Sequence, residues 1–200
     1  PDGTLTGDKV RETANLSTFG FYKDSEALTN AVTYTVSAYA KAAERTRVSL
    51  RLGSTAGSDK WAAAIYSLSG AGSVVAHSQG ASGAPVVYVS SSITELDDGW
   101  YRITLTATAD ADSASGFWGG DGGNSTTTFQ DYGDPTQYVG TLNSGAYFWG
   151  FQLEAGAFAT SHIPTTTAAG SRSASSMACR TDGCGSTSPK ARRRIAALRM

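Results

Sequence analysis

Apolar and polar residues alternate with a period of two in four long stretches of this chain. Val32, Tyr34, Val36 and Ala38 alternate with Thr33, Thr35 and Ser37. Val48, Leu50 and Leu52 alternate with Arg47, Ser49 and Arg51. Tyr101, Ile103, Leu105 and Ala107 alternate with Arg102, Thr104, Thr106 and Thr108. In "GAYFWGFQLEAG" the pattern puts Tyr147, Trp149, Phe151 and Leu153 on one face, and Phe148, Gly150, Gln152 and Glu154 on the other. Period-two alternation is the signature of strands with one buried face. Shorter strand candidates are "TLTGDKVRE", "AAAIYSL", "SVVAHS" and "PVVYVSS", and Gly-rich or Asp-Gly turn signals separate the runs, "GGDGG" at 119–123 among them. No segment before residue 171 sustains a helical period. About eight strands at this spacing predict two packed antiparallel sheets, an all-β sandwich of jelly-roll type over residues 1–170.

The last 30 residues read differently. "TTTAAGSRSASS" has the composition of a linker. "SPKARRRIAALRM" predicts a short helix, with Ser188 as N-cap, Pro189 at the first turn, and Ala191, Ile195 and Leu198 on one face. Residues 171–200 are thus expected to be a linker and a basic C-terminal arm. Charge supports this division. Residues 172–200 carry seven Lys/Arg against Asp182 alone; residues 1–171 carry nine basic and 16 acidic residues. An acidic body argues against nucleic-acid binding by that body. It also offers a complementary surface to the basic arm of another subunit, which points to assembly. Cys179 and Cys184 have the spacing of a small disulfide loop; with no neighbouring histidine they make a poor zinc site. No run of 18 apolar residues is present, so no membrane-spanning helix is expected. The first residue is Pro1 rather than Met, which leads to the expectation of a processed chain or a fragment.

Catalytic signals are weak. The histidines are His77 and His162, and "HSQG" around His77 is no nucleophile elbow. A lyase would need a His/Tyr base–acid pair with an arginine and a glutamine; Arg102, Gln152 and several tyrosines exist, but no grouping joins them. Glu95, Asp97 and Asp98 crowd into one turn before Gly99, whereas glycosidase carboxylates sit on facing elements. That cluster reads as a solvated hairpin turn. No enzyme is expected.

Four stretches carry a resemblance: "PDGTLTGDKVRET", "TYTVSAYAKAAERTRVSLRL", "LDDGWYRITLTATA", and the closing "YFWGFQLEAGAFATSHIPT" with Ser171-Arg172. Together they resemble a family of jelly-roll domains in phage virion proteins, described as head-spike or tail-fibre domains. That family is similar in turn to carbohydrate-binding modules with a concanavalin-like sandwich. The likeness spans residues 1–172; the closing stretch is its most specific part. His162 stands where the family usually has tyrosine, and the tail beyond Arg172 has no counterpart. The resemblance implies a non-enzymatic virion structural protein (head spike, tail fibre or decoration) acting in assembly and in surface or glycan attachment. It would partner with other virion subunits or itself as a homo-oligomer. The alternative is a carbohydrate-binding module of a larger secreted polysaccharide-degrading enzyme. Modules of this kind often hold a structural Ca²⁺ where the first and last strands meet; Asp2, Asp8 and Glu154 are the hard oxygen ligands available there.

Sugars stack on exposed aromatic faces. Trp100 and Trp149 lie in regular strands and are expected in or near the core. Trp61 follows a loop, and Trp118, Tyr132 and Tyr138 fall in the long polar segment 113–144, a length typical of functional loops. Trp61, Trp118, Tyr132 and Tyr138 are therefore the expected ligand contacts, with Gln152 from the far face of the last strand.

Overall fold

A computed structural model describes residues 7–53, 60–81, 86–110, 113–130, 133–163 and 195–197. The expected sandwich is there: two antiparallel sheets packed face to face. In chain order the strands are β1 (Asp8–Arg11), β2 (Leu16–Ser17), β3 (Phe19–Leu28), β4 (Thr33–Ala42), β5 (Arg47–Gly53), β6 (Trp61–Ser67) and β7 (Ser73–Gln79). They continue with β8 (Val86–Glu95), β9 (Trp100–Ala109), β10 (Ser113–Asp121), β11 (Tyr138–Val139), β12 (Gly145–Ala155) and β13 (Ile195–Ala197). The first sheet runs β1-β12-β4-β9-β8, with β13 also on β12; the second runs β3-β10-β5-β6-β7; β2 and β11 form a small ribbon.

The alternating runs supply the core. Val36, Ala38, Leu50, Leu52, Ile103, Leu105 and Ala107 are all sealed between the sheets. Tyr66 adds a polar atom to this interior, and its hydroxyl donates to the Thr104 carbonyl at 2.7 Å, so no donor is stranded there. At the β8–β9 hairpin the Asp-Gly signal does what its chemistry allows. Asp98 and Gly99 take φ of 58° and 72°, the left-handed region that such pairs tolerate.

Strand β12 departs from the alternation read in the sequence. Trp149 pairs with Tyr39, but the next pair is Gln152 with Ser37, so β12 carries one extra residue. Gly150 takes a φ of 61° there, a β-bulge built on the residue that enters this region most easily. The bulge reverses the phase. Ala146 and Phe148 point into the core before it, Phe151 and Leu153 after it. Tyr147 and Trp149 therefore face outward, and Phe148, assigned to the outer face by its spacing, is fully buried. Each buried Phe stabilises the fold by roughly 1.5–3 kcal/mol.

Two long strands, β3 and β10, escape the alternation. Trp118 and the "GGD" of the expected turn belong to β10, paired with β3 and β5. Its inward positions are Phe117, Gly119 and Asp121, and only the first reads as core. Gly119 is required by its neighbours. A Cβ there would approach Phe151 Cε1 to 2.7 Å and Phe21 Cζ to 2.9 Å. Gly119→Ala is expected to lower stability by about 1–3 kcal/mol through overpacking, read as a lower urea midpoint; an unchanged midpoint would contradict this packing.

The arm also differs from expectation. Ile195–Ala197 form a strand on β12, opposite Glu154, Leu153 and Gln152, rather than a turn of helix. A short isolated helix is marginal in water, whereas β12 offers an edge that β1 covers only from Gly145 to Phe148. The two Cys residues lie outside the described residues.

Candidate functional site

Beyond β12 the chain turns back as a strap, residues 156–163, across the outer face of the six-stranded sheet. Glu154 and Gln152 tie it down. The Thr160 amide and hydroxyl donate to Glu154 at 2.9 and 2.7 Å. The Gln152 amide donates to Glu154 at 2.7 Å and its oxygen accepts from the Ile163 amide at 2.8 Å. Thr35 donates to the Gly156 carbonyl at 2.8 Å, and Arg102 donates to the Thr160 carbonyl. Gln152 and Glu154 are wholly buried beneath the strap. They anchor it; they do not face a ligand.

Asp8, the other described member of the expected calcium set, sits opposite Phe148. Six residues of β12 separate that position from Glu154, about 20 Å at strand rise, so the two carboxylates do not converge. Asp2 lies outside the described residues. Among the described residues no three His, Cys, Asp or Glu side chains are grouped to hold a metal ion.

Aromatic rings collect on the outer face beside the strap, with the backbone of Gly7 packed against the Trp100 ring. Two adjacent cross-strand rows build the patch. One runs Lys9, Tyr147, Lys41, Trp100; the next runs Trp149, Tyr39, Arg102. Outward residues two apart along a strand share a face, and neighbouring strands bring the rings within contact. Tyr39 and Trp149 have centroids 5.0 Å apart. His162, at the end of the strap, lies 4.5 Å from Trp149 and edge-on to Tyr39. The Arg102 guanidinium lies 5.7 Å from the Tyr39 ring and Lys9 Nζ lies 5.9 Å from Tyr147, both in cation–π range. Tyr147 is 37% exposed, while Tyr39, Trp100, Trp149 and His162 are half-buried. Trp100 and Trp149, expected in or near the core, thus belong to this face. The signal that would have found it is the glycine inside the aromatic run, since an isolated strand glycine often marks a bulge.

Two of the loop aromatics, Trp61 and Tyr138, are held inside the fold. Trp61 is only 7% exposed. It is wedged between Phe129, 5.8 Å away, and the backbone of Gly133, where a Cβ would come within 2.4 Å of the ring. It pins residues 124–130 and 133–137 over the second sheet. Arg47 donates to the Thr126 carbonyl at 2.7 Å and Arg51 pairs with Asp134 at 2.6 Å in the same structure. Beside this segment lies an open groove of about 690 Å³, lined by His77, Gln79, Phe129 and Gln130 among others. His77 stacks flat on Tyr88, 4.2 Å away. The Trp118 backbone lies between Tyr22 and Arg51; its side chain and all of Tyr132 are outside the described residues. Tyr22, paired with Trp118 across the strands, is 66% exposed.

Tyr138 belongs to a buried charged cluster at one end of the sandwich. Its hydroxyl donates to Glu12 at 2.6 Å. Arg45 grips both oxygens of Glu12 at 2.5 Å, and the Thr141 amide donates at 2.6 Å. Burial alone would raise the Glu12 pKa, but Arg45, Tyr138 and Thr141 outweigh it and hold the carboxyl below its usual range. Burial, then the bond to Glu12, pushes the Tyr138 hydroxyl far up. Asp121 faces the same cluster, fully buried, and its oxygens close no hydrogen bond. Burial and the Glu12 charge push its pKa up to about 8; the charges of Arg45 and Lys9 offset only part.

No helix among the described residues is long and apolar enough to cross a membrane. The sequence matches no protein-family model and no curated protein.

Proposed function

We propose that this protein is a non-enzymatic attachment module of a phage virion, a head-spike, tail-fibre or decoration component that holds a glycan on the aromatic outer face of its six-stranded sheet. The observation that carries this reading is the patch of Tyr39, Tyr147, Trp149, Trp100 and His162, interleaved with Lys41 and Arg102. Flat, half-exposed rings beside fixed polar donors are what sugar rings stack on. The virion setting rests on the resemblance of the strand sequences. A module of a secreted polysaccharide-degrading enzyme would use the same face, and proteomics of purified particles separates the two settings.

The site is tested on a glycan array. Wild-type protein is expected to bind a polysaccharide, and Trp149→Ala and Tyr147→Ala are each expected to weaken that binding about tenfold or more by removing a stacking ring. Thermal melts show whether each variant remains folded. A wild-type protein that binds no glycan would remove the basis for this reading.

A further inference from the structure

Three cations border the aromatic face, and their partners differ. Lys9 is charge-matched: its Nζ lies 2.5 Å from Glu44 and donates to the Asn143 carbonyl. Lys41 and Arg102 have no carboxylate partner among the described residues. Lys41 occupies the middle of its row, between Tyr147 and Trp100. Its stem reaches the turn at Gly99, where a Cβ would lie 3.9 Å from Lys41 Cε, yet neither Asp97 nor Asp98 in that turn closes an ion pair with it. Arg102 occupies the end of the next row, beside Tyr39. The Tyr39 ring and the Thr160 carbonyl fix its guanidinium, and its buried Nε has no hydrogen-bond partner. The nearby buried acid, Glu154, is already engaged by Thr160 and Gln152.

A fixed, partly desolvated positive charge without a counter-ion favours an anion that brings its own. Arg102 is such a charge, and Lys41, diagonal to it on the neighbouring strand and roughly 7–8 Å away at the backbone, adds a second cation without a carboxylate partner among the described residues. We infer that the glycan held here is carboxylated, a uronate- or sialate-type polymer whose sugar rings stack on Trp149, Tyr147 and Tyr39 while its carboxylates meet Lys41 and Arg102. This rests on the attachment reading and narrows it. A single-stranded nucleic acid would also stack on rings, but it carries a charge at every nucleotide and is held by a continuous basic groove. Here two cations without a carboxylate partner among the described residues serve several rings, on a body whose first 171 residues carry 16 acids and nine bases.

The experiment uses matched polymers with the full chain: polygalacturonate, alginate, hyaluronan and polysialate, each beside its methyl-esterified form, with neutral galactan and oligo(dT). At least one acidic polymer is expected to bind about tenfold more tightly than its ester, with affinity falling as salt rises. Lys41→Gln is expected to cost about tenfold for the acid and less than about twofold for the ester, with an unchanged melt. Equal binding of acid and ester, or an equal loss for both in Lys41→Gln, overturns the carboxylate assignment and leaves glycan attachment standing. Tighter binding of oligo(dT) than of any polysaccharide also overturns it. If no polymer binds, acidic or neutral, the attachment reading itself fails.

Discussion

Asp121→Asn is expected to stabilise the protein, by an amount that grows from about pH 4 to about pH 8 and then levels off. The reasoning starts from the fate of one proton. In the unfolded chain this carboxyl ionises at its usual 3.8; in the fold, burial and the Glu12 charge hold the proton until about pH 8. Between those values the unfolded state has lost a proton that the native state keeps, so ionisation favours unfolding as pH rises. With 1.36 kcal/mol for each unit of difference, the penalty in the native protein is on the order of 5 kcal/mol at full extent. Asparagine has the same shape and no charge to bury. Below about pH 4 the variant and the native protein should differ little, and above about pH 8 the gap should be constant. Urea denaturation at pH 4, 6, 8 and 9 measures this directly. A gap that does not change with pH would show that Asp121 is ionised in the fold at neutral pH.

Glu12→Gln, a few ångströms along the same cluster, is expected to act in the opposite sense. It removes the charge that Arg45 grips through both nitrogens, in a side chain 1% exposed. Breaking a buried pair by neutralising one partner leaves an uncompensated charge and costs about 3–5 kcal/mol. The pH dependence follows from the depressed carboxyl. A group whose native pKa lies below its unfolded value contributes stability that is present above the unfolded value of 4.5 and is lost as pH falls through the native one. The native protein should therefore lose stability in acid more steeply than Glu12→Gln does. The two sites are also coupled. Without the Glu12 charge, and with Arg45 released, Asp121 should ionise at lower pH, so the alkaline gain from Asp121→Asn should shrink in the double variant. A loss below about 1 kcal/mol for Glu12→Gln would mean that solvent reaches the pair.

The alternating runs were legible because each strand in them has one face on the core. Val36, Leu50, Leu52, Ile103 and Leu105 are all fully or almost fully buried, as their spacing implies. Legibility fails where a neighbour occupies the space that a side chain would fill. Gly119 is an inward residue with no side chain because the Phe151 and Phe21 rings stand in its place. It fails again where a backbone feature shifts the phase, as at Gly150: the first half of β12 follows one alternation and the second half the other. This is why unbroken alternation places Trp149 on the core side of β12, and Gln152 and Glu154 on an open side. Trp61 and Tyr138 escape a linear reading for a third reason. Loops that fold back onto a sheet need anchors, and Trp61 and Tyr138 are anchors, one under Phe129 and one on Glu12. Nothing in a linear pattern separates a ring that holds a loop from a ring that the loop presents.

Strands β1 and β13 run in the same direction along one edge of β12, the first opposite residues 148 to 145 and the last opposite 154 to 152. Ala197 therefore points toward Asp8, whose β12 partner lies four positions away from its own, about 13 Å at strand rise. In topological terms β13 and β1 make one interrupted strand along the β12 edge, open between the partners of residues 152 and 148 among the described residues.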